Sequence, residues 1–206
     1  MNSRLLSVLC FSALLGFSSC TNSSNITLDY VPPEGQVLRG APDFSVGAFA
    51  NKRGIESHRL GRVNLPIGVP LEMVNSDIPV ETLVANAMAH ALHARGMLTE
   101  GNQAHYLITG EVINLEAQMV VRPSAYAKVR VNVVEMDSGR VLFSKVYESE
   151  RISSAYRPGT GSPVPLLQEL TSRALQDVVD KAVDDPALRS QLGGRGWRPR
   201  YSSGML

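Results

Sequence analysis

Two stretches of the chain repeat apolar residues at helical spacing. In the first, Val80, Leu83, Val84, Ala87, Met88, Ala91 and Leu92 recur every three or four residues. The approach to it, Ser76-Asp77-Ile78-Pro79-Val80-Glu81, reads as a helix start. Asp77 can cap, Pro79 suits the first turn, and Glu81 favours the positive end of the helix dipole. Arg95 and Gly96 close it, a favourable charge followed by a residue free to turn left-handed. In the second, Leu167, Leu170, Ala174, Val178 and Ala182 form the stripe of a helix over 164–183. Asp184-Asp185-Pro186 breaks that helix, and 187–192 can add one more turn.

Elsewhere the period is two. Phe44, Val46 and Ala48 alternate in a first strand over 44–49, which ends at the polar turn Asn51-Lys52-Arg53-Gly54. A strand over 105–117 contains Gly110, which marks a bulge or close packing. Over 125–136, Val129, Val131 and Val133 oppose Lys128, Arg130 and Asn132. After the turn Asp137-Ser138-Gly139, the strand 140–152 returns as the second arm of an antiparallel hairpin with one side facing solvent. Residues 55–76 hold Gly61, Pro66, Gly68 and Pro70 among isolated apolar residues. They read as a long loop with one short edge strand or hairpin around Pro66–Met73.

The predicted class is therefore α+β, a two-layer α/β sandwich. A mixed four-stranded sheet is laid out strand–helix–strand–strand–strand–helix, with both helices on one face. The unit 44–117 pairs its two strands in parallel through the helical crossover.

The first residues change the picture most. Arg4 is the only charge ahead of an apolar run from Leu5 to Phe17, followed by Ser18-Ser19-Cys20. The run is too short to span a bilayer, which takes roughly 20 apolar residues. The arrangement resembles a bacterial lipoprotein signal, in which Cys20 becomes the first residue and carries lipid. Ser18 and Ser19 fit that pattern, while Phe17 stands where Leu is usual. Residues 1–19 are then a signal peptide, and 20–43 a lipidated cysteine with a flexible tether, with a short strand at Ile26–Leu28. Residues 44–192 form a single α/β domain, and 193–206 a disordered tail rich in Gly and Arg. Thr21 is not the Asp of the inner-membrane retention pattern. The expected location is the periplasmic face of the outer membrane in a Gram-negative cell.

Composition excludes more than it proposes. The chain has two cysteines, Cys10 and Cys20. Only the second survives cleavage, so a disulfide framework and a cysteine metal site are both excluded. The formal net charge of +1 gives no electrostatic case for nucleic acid. His90 and His93 share a helix face but lack the further ligands of a metal site, so no metal and no cofactor is expected. Gly159-Thr160-Gly161-Ser162 precedes a helix as phosphate loops do, yet Pro163 and Pro165 remove the donors that an anion needs. Glu111, Glu116, Glu135 and Asp137 alternate with apolar residues as solvent-facing positions do. No catalytic residue is expected, and the chain reads as a non-enzyme.

Three segments carry a family resemblance. Residues 44–53, FSVGAFANKR, resemble the opening strand and turn of YajG-type bacterial lipoproteins, with Asn51 where Asp is common. Leu92-His93-Ala94-Arg95-Gly96-Met97 resembles the close of that family's first helix, and 106–112 the strand that follows. The resemblance covers roughly residues 44–183. It implies a lipid-anchored periplasmic domain without naming an activity, and it makes Arg53 the candidate binding residue, with an ion pair to a carboxylate at the sheet edge as the alternative. The expected partners are the membrane, through the lipid on Cys20, and an envelope protein of unknown identity. Self-assembly within a larger envelope complex is the alternative, and an enzyme acting on cell-wall or lipid substrates is the least supported reading.

Overall fold

The structure, a computed structural model, describes residues 22–32, 40–41, 43–64, 70–99, 103–154, 156–157 and 161–192, without the side chains of 70, 191 and 192. Cys20, the rest of the leader and the 193–206 tail lie outside the described residues.

Strand β5, Tyr106–Met119, is the axis of the sheet. One edge pairs antiparallel along its full length with β6, Pro123–Glu135, which in turn pairs with β7, Val141–Ile152. The other edge is shared. Strand β2, Phe44–Asn51, runs parallel to residues 106–112 of β5, and β3, Arg59–Asn64, runs parallel to residues 117–119. Strand β4, Pro70–Ser76, returns antiparallel to β3, and β1, Asn22–Ile26, closes that side parallel to β4. The parallel pairing of β2 with β5 across a helix is the predicted unit.

Among the described residues the sheet has seven strands, not four. Strands β3 and β4 fall in the 55–76 stretch, where a long loop with one short edge strand or hairpin around Pro66–Met73 is expected; two paired strands, Arg59–Asn64 and Pro70–Ser76, stand there instead. Strand β1 falls in the stretch read as tether, where the short strand expected at Ile26–Leu28 overlaps it at Ile26 alone. Its sequence, NSSNI, has almost no apolar signal because it lies at an edge and is held through its backbone on β4. Side chains add to the hold: Asn75 Nδ2 donates to Ser23 Oγ at 2.8 Å, and the Ser24 hydroxyl donates to Glu72.

Helix α1, Val80–Ala94, buries all seven predicted stripe residues. Its start differs from the expectation. Pro79 is the N-cap and no side chain caps the helix. The Val80 N–H reaches the Ser57 carbonyl at 3.0 Å, while Asp77 accepts the Thr27 hydroxyl. Its end is as predicted: Gly96 has φ +65°, its N–H reaches the His93 carbonyl, and the Met97 N–H reaches the Leu92 carbonyl at 2.8 Å. These two hydrogen bonds satisfy carbonyls the helix leaves open.

Helix α2, Val164–Val183, adds Thr171, Leu175, Val179 and Val183 to its buried stripe. The wider stripe follows from two partners, since α2 packs on β6 and β7 and also against α1. A short helix α3, Pro186–Leu192, follows. The core lies between the helices and one sheet face, where Ala125, Ala127, Val129, Val131 and Val133 of β6 are all buried. Gly110 marks close packing: a Cβ there would stand 2.0 Å from the Arg130 carbonyl oxygen and 2.5 Å from the Phe49 ring.

Candidate functional site

Arg53 sits where β2 leaves the edge of β5 and β3 takes its place. The gap leaves β5 carbonyls without a strand partner, and the guanidinium fills it. Nη1 donates to the carbonyls of Arg59 at 2.6 Å and Leu115 at 2.9 Å. Nη2 donates to the carbonyls of Glu56 at 2.8 Å and Ser57 at 3.2 Å, and Nε to Asn51 Oδ1 at 3.1 Å. All five donors of the fork are engaged, the full capacity of an arginine. Burial lowers its pKa, against the opposing pull of Glu81 and Glu116. Arg53 thus joins two strands to β5, and its acceptors are backbone carbonyls and an amide rather than the carboxylate of a sheet-edge ion pair.

A second arginine, Arg95, is fully buried. Nε and Nη2 hold Asp184 at 3.0 and 2.6 Å, and Nη2 also reaches Asp180 at 2.9 Å. Nη1 donates to the Tyr30 hydroxyl and the Ala91 carbonyl, each at 3.1 Å. The Tyr30 hydroxyl donates its own hydrogen bond to Asp180 at 2.6 Å. Its pKa is pushed up to about 12, first by burial and then by that carboxylate, with Arg95 opposing. This network ties α1, α2 and the segment after β1 together.

Helix α2 is also pinned to β7. Asp177 accepts Arg151 at 2.6 and 2.7 Å and Ser149 at 2.7 Å. Asp185 accepts Lys145 at 2.7 Å, Tyr147 at 2.6 Å and the Ala187 N–H at 2.7 Å. Burial alone would raise both carboxyl pKa values, but the hydrogen bonds outweigh it and hold them below the usual range. Burial and Asp185 raise the pKa of Tyr147.

The histidines scatter. His58 Nδ1 lies 3.0 Å from the Ser76 carbonyl, and His90 and His93 are exposed on α1. His105 Nδ1 stands 2.5 Å from Asp43 Oδ1, with the His105 side chain 69% exposed. These two residues and His93 border an open cleft of about 630 Å³ with Thr99 and Gln103. An exposed His–Asp pair can carry a proton, but the cleft is open to water and Asp43 is already engaged. Among the described residues no group of three or more His, Cys, Asp or Glu is placed to hold a metal. Sequence reasoning missed the Asp43–His105 pair, because Asp43 precedes a strand and nothing near it signals a distant partner.

The sheet face away from the helices is a further candidate surface. The predicted outward set on β6 is there, and each charge meets a neighbour across the strands. Arg130 pairs with Glu111 at 3.2 Å and Lys128 with Glu148 at 2.8 Å, while Tyr126 donates to Glu148 at 2.9 Å. Ser144 and Asn132 bond at 2.7 Å. Leu107, Val134 and Val146, each half-buried, alternate with these groups.

Comparison of the sequence with protein-family models gave no match, and comparison with curated proteins gave none. The fold does match solved structures. Protein XCC0632 from Xanthomonas campestris, of the family DUF330, superposes with a TM-score of 0.61 at 16% identity, over 84% of this chain and 98% of that one. That likeness shows the fold. PelC from Paraburkholderia phytofirmans, a dodecamer, gives 0.43 at 14% identity over 72% and 92% of the two chains. A minor lipoprotein from Acinetobacter baumannii gives 0.35 at 11% identity over 68% and 98%. The structural neighbours thus include bacterial lipoproteins and proteins without an assigned activity. Among the described residues no helix is long and apolar enough to cross a membrane.

Proposed function

We propose that this chain is a non-enzymatic envelope lipoprotein, held by lipid on Cys20 at the periplasmic face of the outer membrane, which binds a protein partner through the helix-free face of its sheet. The observation that carries the reading is the chemistry of that face. Its charges and hydroxyls are paired with one another at the surface, and half-buried Leu and Val lie between them. Exposed ion pairs of this kind contribute little to stability, about 0–1 kcal/mol each. Exchanging them for bonds to a partner therefore costs the fold little, while the apolar residues supply area to bury. The YajG-type resemblance over 44–183 agrees with a lipid-anchored domain.

A photo-crosslinking residue tests the face directly. Placed at Asn132 in intact cells, it is expected to give an adduct of higher mass. Placed at Glu169 on the exposed side of α2, it is expected to give none. Adducts from Glu169 and none from Asn132 would remove the sheet face from the account.

Self-assembly is the second reading. It is favoured by β7, twelve residues long and paired on one edge only among the described strands. An adduct with twice the mass of the chain would select it over a different protein.

A further inference from the structure

The pairing registers define one row across the sheet. Asn22 lies opposite Glu72, Glu72 opposite Val63, Val63 opposite Met119, and Met119 opposite Pro123. Ser124, the next residue, lies opposite Ile152. The first residue of β1 therefore shares one end of the sheet with the β5–β6 turn and the close of β7. Cys20 precedes Asn22 by two residues, so the chain places it within roughly 8 Å of that Cα, at about 3.8 Å per step. The β5–β6 turn lies three to four strands away, roughly 15–20 Å at the usual strand spacing.

This end is unusually apolar for a free surface. Leu71 is 52% exposed, Val120 44%, Val121 79% and Ile152 59%. Val120 and Val121 form the tip of the turn itself, where turns ordinarily carry polar residues. Arg62 and Arg122 are exposed beside them. Arg151 is already bound to Asp177, and of the acidic residues nearby Glu72 is bonded to Ser24 while Glu150 is exposed.

We propose that this end of the sheet is a membrane-contact face, an inference that rests on the reading of Cys20 as lipidated. With the acyl chains in the bilayer at one corner, Val120, Val121, Ile152 and Leu71 enter the interfacial layer, and Arg62 and Arg122 meet the lipid phosphates. The strands then stand on the membrane. The domain is held at the surface rather than dangling on a tether, and the helix-free sheet face is presented sideways to a partner in the same layer.

The test supplies the anchor chemically. The mature full-length chain is coupled through the Cys20 thiol to a maleimide lipid in phosphatidylethanolamine–phosphatidylglycerol vesicles containing bromine-labelled acyl chains. Trp197, the single tryptophan, is first replaced by Phe. Val121→Trp then reports the proposed contact, and Met136→Trp, 48% exposed at the other end of β6, reports water. Both positions face solvent, so neither tryptophan enters the core. Quenching of the tryptophan at 121 is expected to be at least about twofold stronger than at 136. Equal quenching at the two positions, or stronger quenching at 136, would overturn the contact face. Because the lipid is attached in vitro, that result leaves cellular acylation of Cys20 to its own measurement.

Discussion

Replacing Arg95 by Met is expected to destabilise the domain by about 3 kcal/mol, read as a lower urea midpoint with an unchanged slope. The side chain is fully inaccessible and all five of its donors are engaged. Methionine fills much of the volume but leaves Asp180 and Asp184 without their shared cation. Removing one side of a buried ion pair costs about 3–5 kcal/mol, because the remaining charge stays poorly hydrated. The lower figure applies here: Asp180 and Asp184 are 22% and 35% exposed, and Arg189 also holds Asp184 at 2.8 Å. Arg95→Lys keeps the charge and loses the fork, so its loss should be smaller. A methionine variant within half a kcal/mol of the parent would show that the network contributes specificity and no net stability.

Gly61→Ala is expected to cost about as much by a different route. A Cβ at Gly61 would lie 1.8 Å from the Ala117 carbonyl oxygen and 2.8 Å from its carbon. Both are backbone atoms of the central strand, so the collision cannot be relieved by turning a side chain. Overpacking costs typically 1–3 kcal/mol, and a backbone clash belongs at the top of that range. The location adds a local effect. Among the described residues, β3 pairs with β5 through Gly61, Arg62 and Val63 alone. Separating them loosens β1, β4 and β3 as a unit, with Arg53 left as the main bridge. Amide exchange in β3 and β4 should therefore accelerate well before exchange in β6 and β7. Uniform acceleration across the whole sheet would contradict a local seam.

The parts of this fold legible in the sequence are those where one face is dry. Val129, Val131 and Val133 announce β6 because the helices need an apolar floor, and the α1 stripe announces itself for the same reason. Strand β1 was legible only as a short strand at Ile26–Leu28, displaced from its true span Asn22–Ile26, since an edge strand is held by backbone bonds that any polar residue supplies. Arg95 was legible as a charge at a helix end but not as a buried one. Its carboxylate partners lie 85 and 89 residues further along the chain. Arg53 drew notice through a family resemblance, and the structure gives its donors to the strand junction. The strand expected over 140–152 is β7, Val141–Ile152, with one reversal at its start. A register shift beside Val134 turns Val141 outward, to 55% exposure, although its spacing from Phe143 placed both on one face.

The central claim is that the domain is lipid-anchored, and the residue it depends on is Cys20. Cells expressing the full chain should incorporate radioactive palmitate into it, and Cys20→Ala should abolish that label and release the protein from the membrane fraction. Unchanged labelling of Cys20→Ala, or no label in the parent chain, would contradict the account.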